Sequence, residues 1–145
     1  MSRALCVVGA SGAVGQEIVA LLARSGVPAE RVRLLASARS AGTEMAYGDK
    51  KIKIQELSEA AFVDASLALF AASGDVSRAF VPHATRAGAA VVDNSSAFRL
   101  DPNVPLVVPE VNGDLLLDHP RIVANPNCST ILLAVALWPL HQQRP

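Results

Sequence analysis

The chain is short of several residue types that would place it at once. It has two cysteines, Cys6 and Cys128, in 145 residues. That is too few for a disulfide framework, and their spacing suggests no zinc site, so a metal is not expected and a reducing cytoplasm is the default compartment. It has no surplus of either charge: thirteen basic residues balance thirteen acidic ones. Overall charge therefore gives no support to a nucleic-acid or anionic-membrane partner. No apolar run reaches the length of a membrane span. The first one, Ala4 to Val8, is too short for a signal sequence and breaks at Gly9. There is no internal repeat and no low-complexity linker. What remains is a chain long enough for one domain with a real core.

Its organisation is read from short apolar runs punctuated by glycine. Ala4–Val8 predicts a buried strand, and Val14–Ser25 predicts a helix with Ile18, Leu21 and Leu22 on one face, closed by Gly26 and Pro28. Arg31–Ala36 predicts a second strand, followed by a polar loop from Ser37 to Thr43. Lys51–Ile54 alternates like a half-exposed strand. Leu67–Ala71 predicts a third buried strand, Val76–Ala87 a second helix, Ala89–Asp93 another strand, and Leu106–Val108 a short one. Arg121–Ala124 is strand-like, and Ile131–Leu140 an apolar helix. Strands alternating with helices, several apolar on both faces, predict an α/β fold. The expected form is Rossmann-like and doubly wound, a mostly parallel sheet with helices on both faces.

Three segments carry chemistry. Gly9-Ala10-Ser11-Gly12-Ala13-Val14-Gly15 lies between the first strand and the first helix. Glycines there let the backbone approach a pyrophosphate seated on the helix N-terminus; an ordinary tight turn is the alternative. An NAD site usually ends its second strand in Asp or Glu, to accept from the ribose hydroxyls. Here Leu34-Leu35-Ala36-Ser37 has no acid, and Arg39 and Ser40 follow, which suits the 2′-phosphate of NADP. Arg39 as a solvated loop charge is the competing reading. Asp93-Asn94-Ser95-Ser96-Ala97-Phe98-Arg99 follows the fourth buried strand, at the edge where ligands collect in such sheets. Arg99 there can clamp a phosphate or carboxylate, or simply enter a structural ion pair.

Asn125-Pro126-Asn127-Cys128-Ser129-Thr130 is the third segment. It ends a strand and opens an apolar helix, so Cys128 falls at a helix N-terminus. Unpaired N–H groups and the macrodipole favour an anion there, hence a thiolate nucleophile with a lowered pKa, and can hold the oxyanion of an attacked carbonyl. A buried thiol in a structural cap is the alternative. Cys6 lies in an apolar strand and reads as structural. His83, His119 and His141 form no constellation with Cys128. The helix from Ile131 to Trp138 is apolar around its whole circumference, which calls for cover on every side that the remaining residues do not supply.

Together these blocks resemble the N-terminal part of aspartate-β-semialdehyde dehydrogenase. The resemblance runs through Val8–Gly15, Ser37–Gly42, Val92–Arg99, Val108–Asn112 and Ala124–Thr130, in that order over nearly the whole chain. It implies that Cys128 is the nucleophile, that Ser11 to Val14 with Arg39 and Ser40 contact NADP, and that Arg99 holds the phosphate of an acyl-phosphate substrate. The implied reaction is reductive dephosphorylation of β-aspartyl phosphate to aspartate semialdehyde by NADPH, in amino-acid biosynthesis. The implied whole protein is a homo-oligomer, a dimer or tetramer. On this reading residues 1–128 form the NADP-binding domain, and 129–145 are the first helix of a truncated catalytic and dimerisation domain. The family's acid/base histidine and substrate-carboxylate arginine would lie beyond Pro145. A non-catalytic NADP-binding fragment or relative, and an enzyme like N-acetylglutamyl-phosphate reductase, are the alternatives. One departure is local: Phe70-Ala71-Ala72-Ser73-Gly74 stands where the family commonly has Phe-Ser-Ala-Gly-Gly.

Overall fold

The computed structural model describes residues 3–143. Its strands are β1 (Ala4–Val8), β2 (Val32–Ala36), β3 (Glu44–Tyr47), β4 (Lys50–Lys53), β5 (Gln55–Glu56), β6 (Ala65–Phe70), β7 (Ala90–Asp93) and β8 (Ile122–Ala124). Its helices are α1 (Ala13–Arg24), α2 (Gly74–Arg86), α3 (Pro109–Asn112) and α4 (Cys128–Gln143). A six-stranded sheet runs in the order β5-β2-β1-β6-β7-β8, and each neighbouring pair is parallel. The chain steps outward from β1 through β2 to β5, then returns to β6 on the other flank of β1. That reversal is the switch point at which ligands bind in open parallel sheets, outside the carboxyl ends of the strands.

The apolar runs build the two layers that the doubly wound prediction requires. On one face, Val7, Val32 and Leu34 pack with Val19 of α1 and with Tyr47 and Ile54. On the other, Cys6, Val8, Leu35, Phe62 and Phe70 pack with Val81 and Ala84 of α2. Each large apolar side chain buried this way contributes roughly 1.5–3 kcal/mol. Helix α1 ends where Gly26 takes φ +73, a left-handed turn that glycine adopts without a Cβ penalty.

The structure departs from the sequence reading in two places. The alternating Lys51–Ile54 run is β4, but it pairs antiparallel with β3 in a separate two-stranded sheet. The parallel edge position falls instead to the short β5. Leu106–Val108 is not a strand, for only a single bridge, Leu106 to Ala124, forms. Towards β8 the bonds run from the Val107 N–H to the Ala124 carbonyl and from the Ala124 N–H to the Pro105 carbonyl. The next rungs would need N–H groups that Pro105, Pro109 and Pro126 lack, and Pro109 then opens α3. Asn112 braces the other side of this segment: its Oδ1 accepts from the Val108 N–H at 2.8 Å, and its Nδ2 donates to the Leu106 carbonyl at 2.9 Å. The last helix begins at Cys128, where the Asn-Cys-Ser turn predicts a helix N-terminus. None of its residues is buried, and Leu132, Leu133 and Leu140 are 74%, 60% and 66% exposed.

Candidate functional site

The turn after β1 is built for close backbone approach. Gly9 has φ +82, and a Cβ there would stand 2.4 Å from the Ala71 carbonyl oxygen at the end of β6. A Cβ on Gly15 would stand 2.1 Å from the Gly9 carbonyl oxygen. These two glycines are required by the protein's own backbone. Gly12 has only a 3.4 Å neighbour and is needed for no such reason. Gly12 is instead the N-cap of α1, and no side chain caps that helix. The first-turn N–H groups at Ala13, Val14 and Gly15 thus face no competing carboxylate, the condition under which a helix N-terminus accepts a phosphate. Ala13 and Val14 are exposed, and Gly15 is buried against the turn.

A cleft of about 390 Å³ opens beside this turn, lined by Gly9, Ser11 and Gly12, by Ala36–Ala38, by Ala71 and Ala72, and by Glu56, Leu57, Val76 and Phe80. Its size and mixed lining suit a nucleotide, and the glycine cradle fits the diphosphate of a dinucleotide. Arg39 is exposed and Ser40 half-buried, immediately beyond the cleft residue Ala38. Their loop is fastened by the Ser40 N–H to the Ser37 carbonyl at 2.9 Å and by the Thr43 hydroxyl to the Ser40 carbonyl at 2.7 Å. The extra side chain at Ser73 is turned to other use. Its hydroxyl accepts from the Val76 N–H at 3.4 Å as the N-cap of α2.

Beyond β7 the loop carrying Arg99 is pinned from below. Asp93 is fully buried, and its two carboxylate oxygens each accept a 2.6 Å hydrogen bond, one from Ser77 of α2 and one from Ser95. The Ser95 hydroxyl in turn accepts from the Ala97 N–H at 3.0 Å. A buried carboxylate needs such donors, and here they fix the turn. Arg99 then donates from Nε to the Asn125 carbonyl and from Nη2 to the Asn94 carbonyl, each at 2.9 Å. Asn125 Nδ2 donates to Asn94 Oδ1 at 2.7 Å. One guanidinium therefore ties the end of β7 to the end of β8, and the other N–H groups of its fork are not spent on these carbonyls.

Asn125 leads directly to Cys128. The segment is held by the Asn125 N–H on the Asp93 carbonyl at 2.8 Å. Asn127 caps α4, its Oδ1 accepting from the Ser129 N–H at 3.0 Å and its carbonyl from the Ile131 N–H at 3.0 Å. Cys128 is thus the first residue of the helix and is exposed, with Sγ 3.9 Å from Asn127 Oδ1. Cys6 is the opposite case: buried in β1, its thiol is pushed above its ordinary pKa by burial, partly offset by Arg33.

The amino-terminal 4–119 region matches the family described as semialdehyde dehydrogenase, NAD binding domain. The chain belongs to that family. It is 48% identical over 141 residues to the aspartate-semialdehyde dehydrogenase of Synechocystis sp., a match covering 97% of this chain and 42% of that protein. Among solved structures it is similar to aspartate semialdehyde dehydrogenase II of Vibrio cholerae, complexed with ASA. That similarity has a TM-score of 0.90 and 39% identity, over 98% of this chain and 47% of the other. The Candida albicans enzyme with NADP is similar at TM-score 0.77 and 28% identity, over 97% of this chain and 47% of that one. The chain thus spans about two-fifths of the length of the curated relative.

In this member of the semialdehyde dehydrogenase family, the sequence-predicted residues fall at one edge of the sheet. Gly9, Ser11 and Gly12 line the cleft after β1. Arg99 and Cys128 follow β7 and β8, joined through Asn125. The histidines stay apart from this cluster: His83 Nδ1 lies 3.2 Å from a Glu59 carboxylate oxygen, and His141 stacks on Trp138. Sequence reasoning missed Asp93, Asn94 and Asn125 as the props of Arg99. A carboxylate closing the apolar run Ala90–Asp93, with serine two residues on, was the available signal. It also missed Glu56, which reaches the cleft by pairing opposite Ala36.

Proposed function

We propose that this chain is the dinucleotide-binding part of an NADP-dependent enzyme that reduces β-aspartyl phosphate to aspartate semialdehyde through a thioester on Cys128. The observation that supports the reading most is Arg99, because its bonds to the Asn94 and Asn125 carbonyls tie it to the segment that leads to Cys128 and leave other N–H groups of its fork for a phosphate. In this reading the Cys128 thiolate attacks the acyl carbon, forming the S–C bond. The C–O bond to phosphate breaks, and the phosphate leaves with the electron pair toward Arg99. The Ser129 N–H is taken by Asn127, so the oxyanion falls to other N–H groups of the first turn of α4, Cys128 and Thr130 among them. The dinucleotide, when bound, supplies the hydride that carries the thioester to the aldehyde.

Gly9, Ser11, Gly12, Ala13, Val14 and Gly15 would hold the diphosphate, and Arg39 with Ser40 the 2′-phosphate. Supporting this are the uncapped α1 N-terminus and the absence of an acid at the end of β2. Residues 1–128 would be the dinucleotide-binding unit, with the segment 129–145 opening a catalytic and dimerisation domain; Met1, Ser2, Arg144 and Pro145 lie outside the described residues. A cytoplasmic place and a homo-oligomeric whole protein belong to the same proposal. Among the described residues, no helix is long and apolar enough to cross a membrane.

Titration of nicotinamide fluorescence tests the cofactor assignment. Arg39→Ala should weaken NADPH by about 1.5–3 kcal/mol, the worth of a hydrogen bond to a charged group, and leave NADH little changed. Equal losses for both would reject it.

A further inference from the structure

We infer that Glu56 selects the base of the dinucleotide, its carboxylate accepting a hydrogen bond from the exocyclic amine of an adenine seated against Leu57, Val76 and Phe80. This rests on the dinucleotide reading above and adds a specificity residue to it. Glu56 ends the edge strand β5, in register with Ala36 at the end of β2, and lines the same cleft as the glycine turn. Neighbouring strands are about 4.8 Å apart. From the turn after β1, the end of β2 is therefore one step away and the end of β5 two steps, about 10 Å. A diphosphate on α1 puts its ribose over the first step, beside Ser37 and Ala38, and its base over the second. The cleft is apolar at Leu57, Val76 and Phe80, and Glu56 is the one carboxylate in its lining.

Glu56 is exposed and enters no ion pair among the described residues. An ionised carboxylate only accepts hydrogen bonds, so its ligand partner must be a donor. The 6-amino group of adenine is one. Hypoxanthine carries an acceptor oxygen at that place, which would face the carboxylate lone pairs. The ribose 2′-hydroxyl is another donor, but it falls at the nearer strand end, and in NADP it is esterified to a phosphate that Glu56 would repel.

The test is a fluorescence titration of the full chain with NADPH, NADH and the hypoxanthine counterpart of NADPH. It compares wild type with Glu56→Ala and Glu56→Gln. Wild type should bind the adenine form at least about tenfold more tightly, the worth of a charge-assisted hydrogen bond. Glu56→Ala should weaken NADPH to the level of the hypoxanthine form without weakening the latter. Glu56→Gln should bind both bases alike, because a carboxamide donates as well as accepts. Equal weakening of both bases by Glu56→Ala, or no base preference in wild type, overturns the inference. So does a loss confined to NADH, which would put the carboxylate on the ribose. Wild type binding no dinucleotide would instead reject the cofactor reading, and this inference with it.

Discussion

Replacing Gly9 with alanine should be among the most damaging single-methyl additions in the chain, and the structure says why two costs add. At φ +82 the alanine is forced into the left-handed region, which costs about 1–2 kcal/mol. Its Cβ also lands 2.4 Å from the Ala71 oxygen and 2.8 Å from the Ala71 carbonyl carbon. Those are backbone atoms at the end of β6, so β1 and β6 must part, an overpacking cost of about 1–3 kcal/mol. The sum, about 2–5 kcal/mol, is a large part of a typical domain's stability. Two controls separate the terms. Gly26→Ala has φ +73 with nothing within 4 Å and should show the backbone term alone. Gly15→Ala has no positive φ but a 2.1 Å clash with the Gly9 oxygen, and should show the steric term less the roughly 1 kcal/mol that alanine gains over glycine within α1. Urea unfolding followed by far-ultraviolet dichroism, compared at constant m, measures all three. A Gly9→Ala variant no less stable than Gly26→Ala would refute the argument from close approach, and with it the shape assigned to the cradle.

Alkylation by iodoacetamide in the folded state should label Cys128 and spare Cys6, read by peptide mass; preferential labelling of Cys6 would count against the exposed helix-start position. The raised Cys6 thiol also has a linkage consequence. The unfolded thiol ionises first, near about 8.5, so the unfolded state then holds fewer protons. Stability should therefore be full below that pH and fall as pH rises toward the higher folded value. The slope should flatten in Cys6→Ala. Ser77→Ala removes one of the two hydroxyl donors to the buried Asp93 and should cost about 1.5–3 kcal/mol in urea unfolding; a neutral effect would mean that the carboxylate is satisfied otherwise.

Much of this site was legible because its signals are local. A strand stopped by glycine, a glycine-spaced turn and a helix face are all contained within Ala4 to Arg24, and the structure reproduces that order. The Cys128 position was legible for the same reason: an Asn-containing turn between an apolar strand and an apolar helix. The polar hairpin of β3 and β4 was harder, because its lysines and Glu44 face water and its pairing depends on the turn at Gly48. Leu106–Val108 looked like a strand by composition, but Pro105 and Pro109 on its flanks and Pro126 after β8 lack the N–H groups that further rungs would need, so only one bridge forms. Glu56 was invisible as a site residue because its place is set by register with Ala36, some twenty positions earlier in the chain. The props of Arg99 were hidden likewise, since Asn94 and Asn125 meet only when β7 and β8 pair.

The central claim is that Cys128 is acylated by an acyl phosphate held at Arg99. Intact and peptide mass spectrometry of the chain incubated with β-aspartyl phosphate tests it most directly. One hydroxylamine-sensitive aspartyl adduct is expected, located on Cys128, absent from Cys128→Ala and much slower to form in Arg99→Ala. An adduct on Cys6, or one that forms equally fast without Arg99, would contradict it.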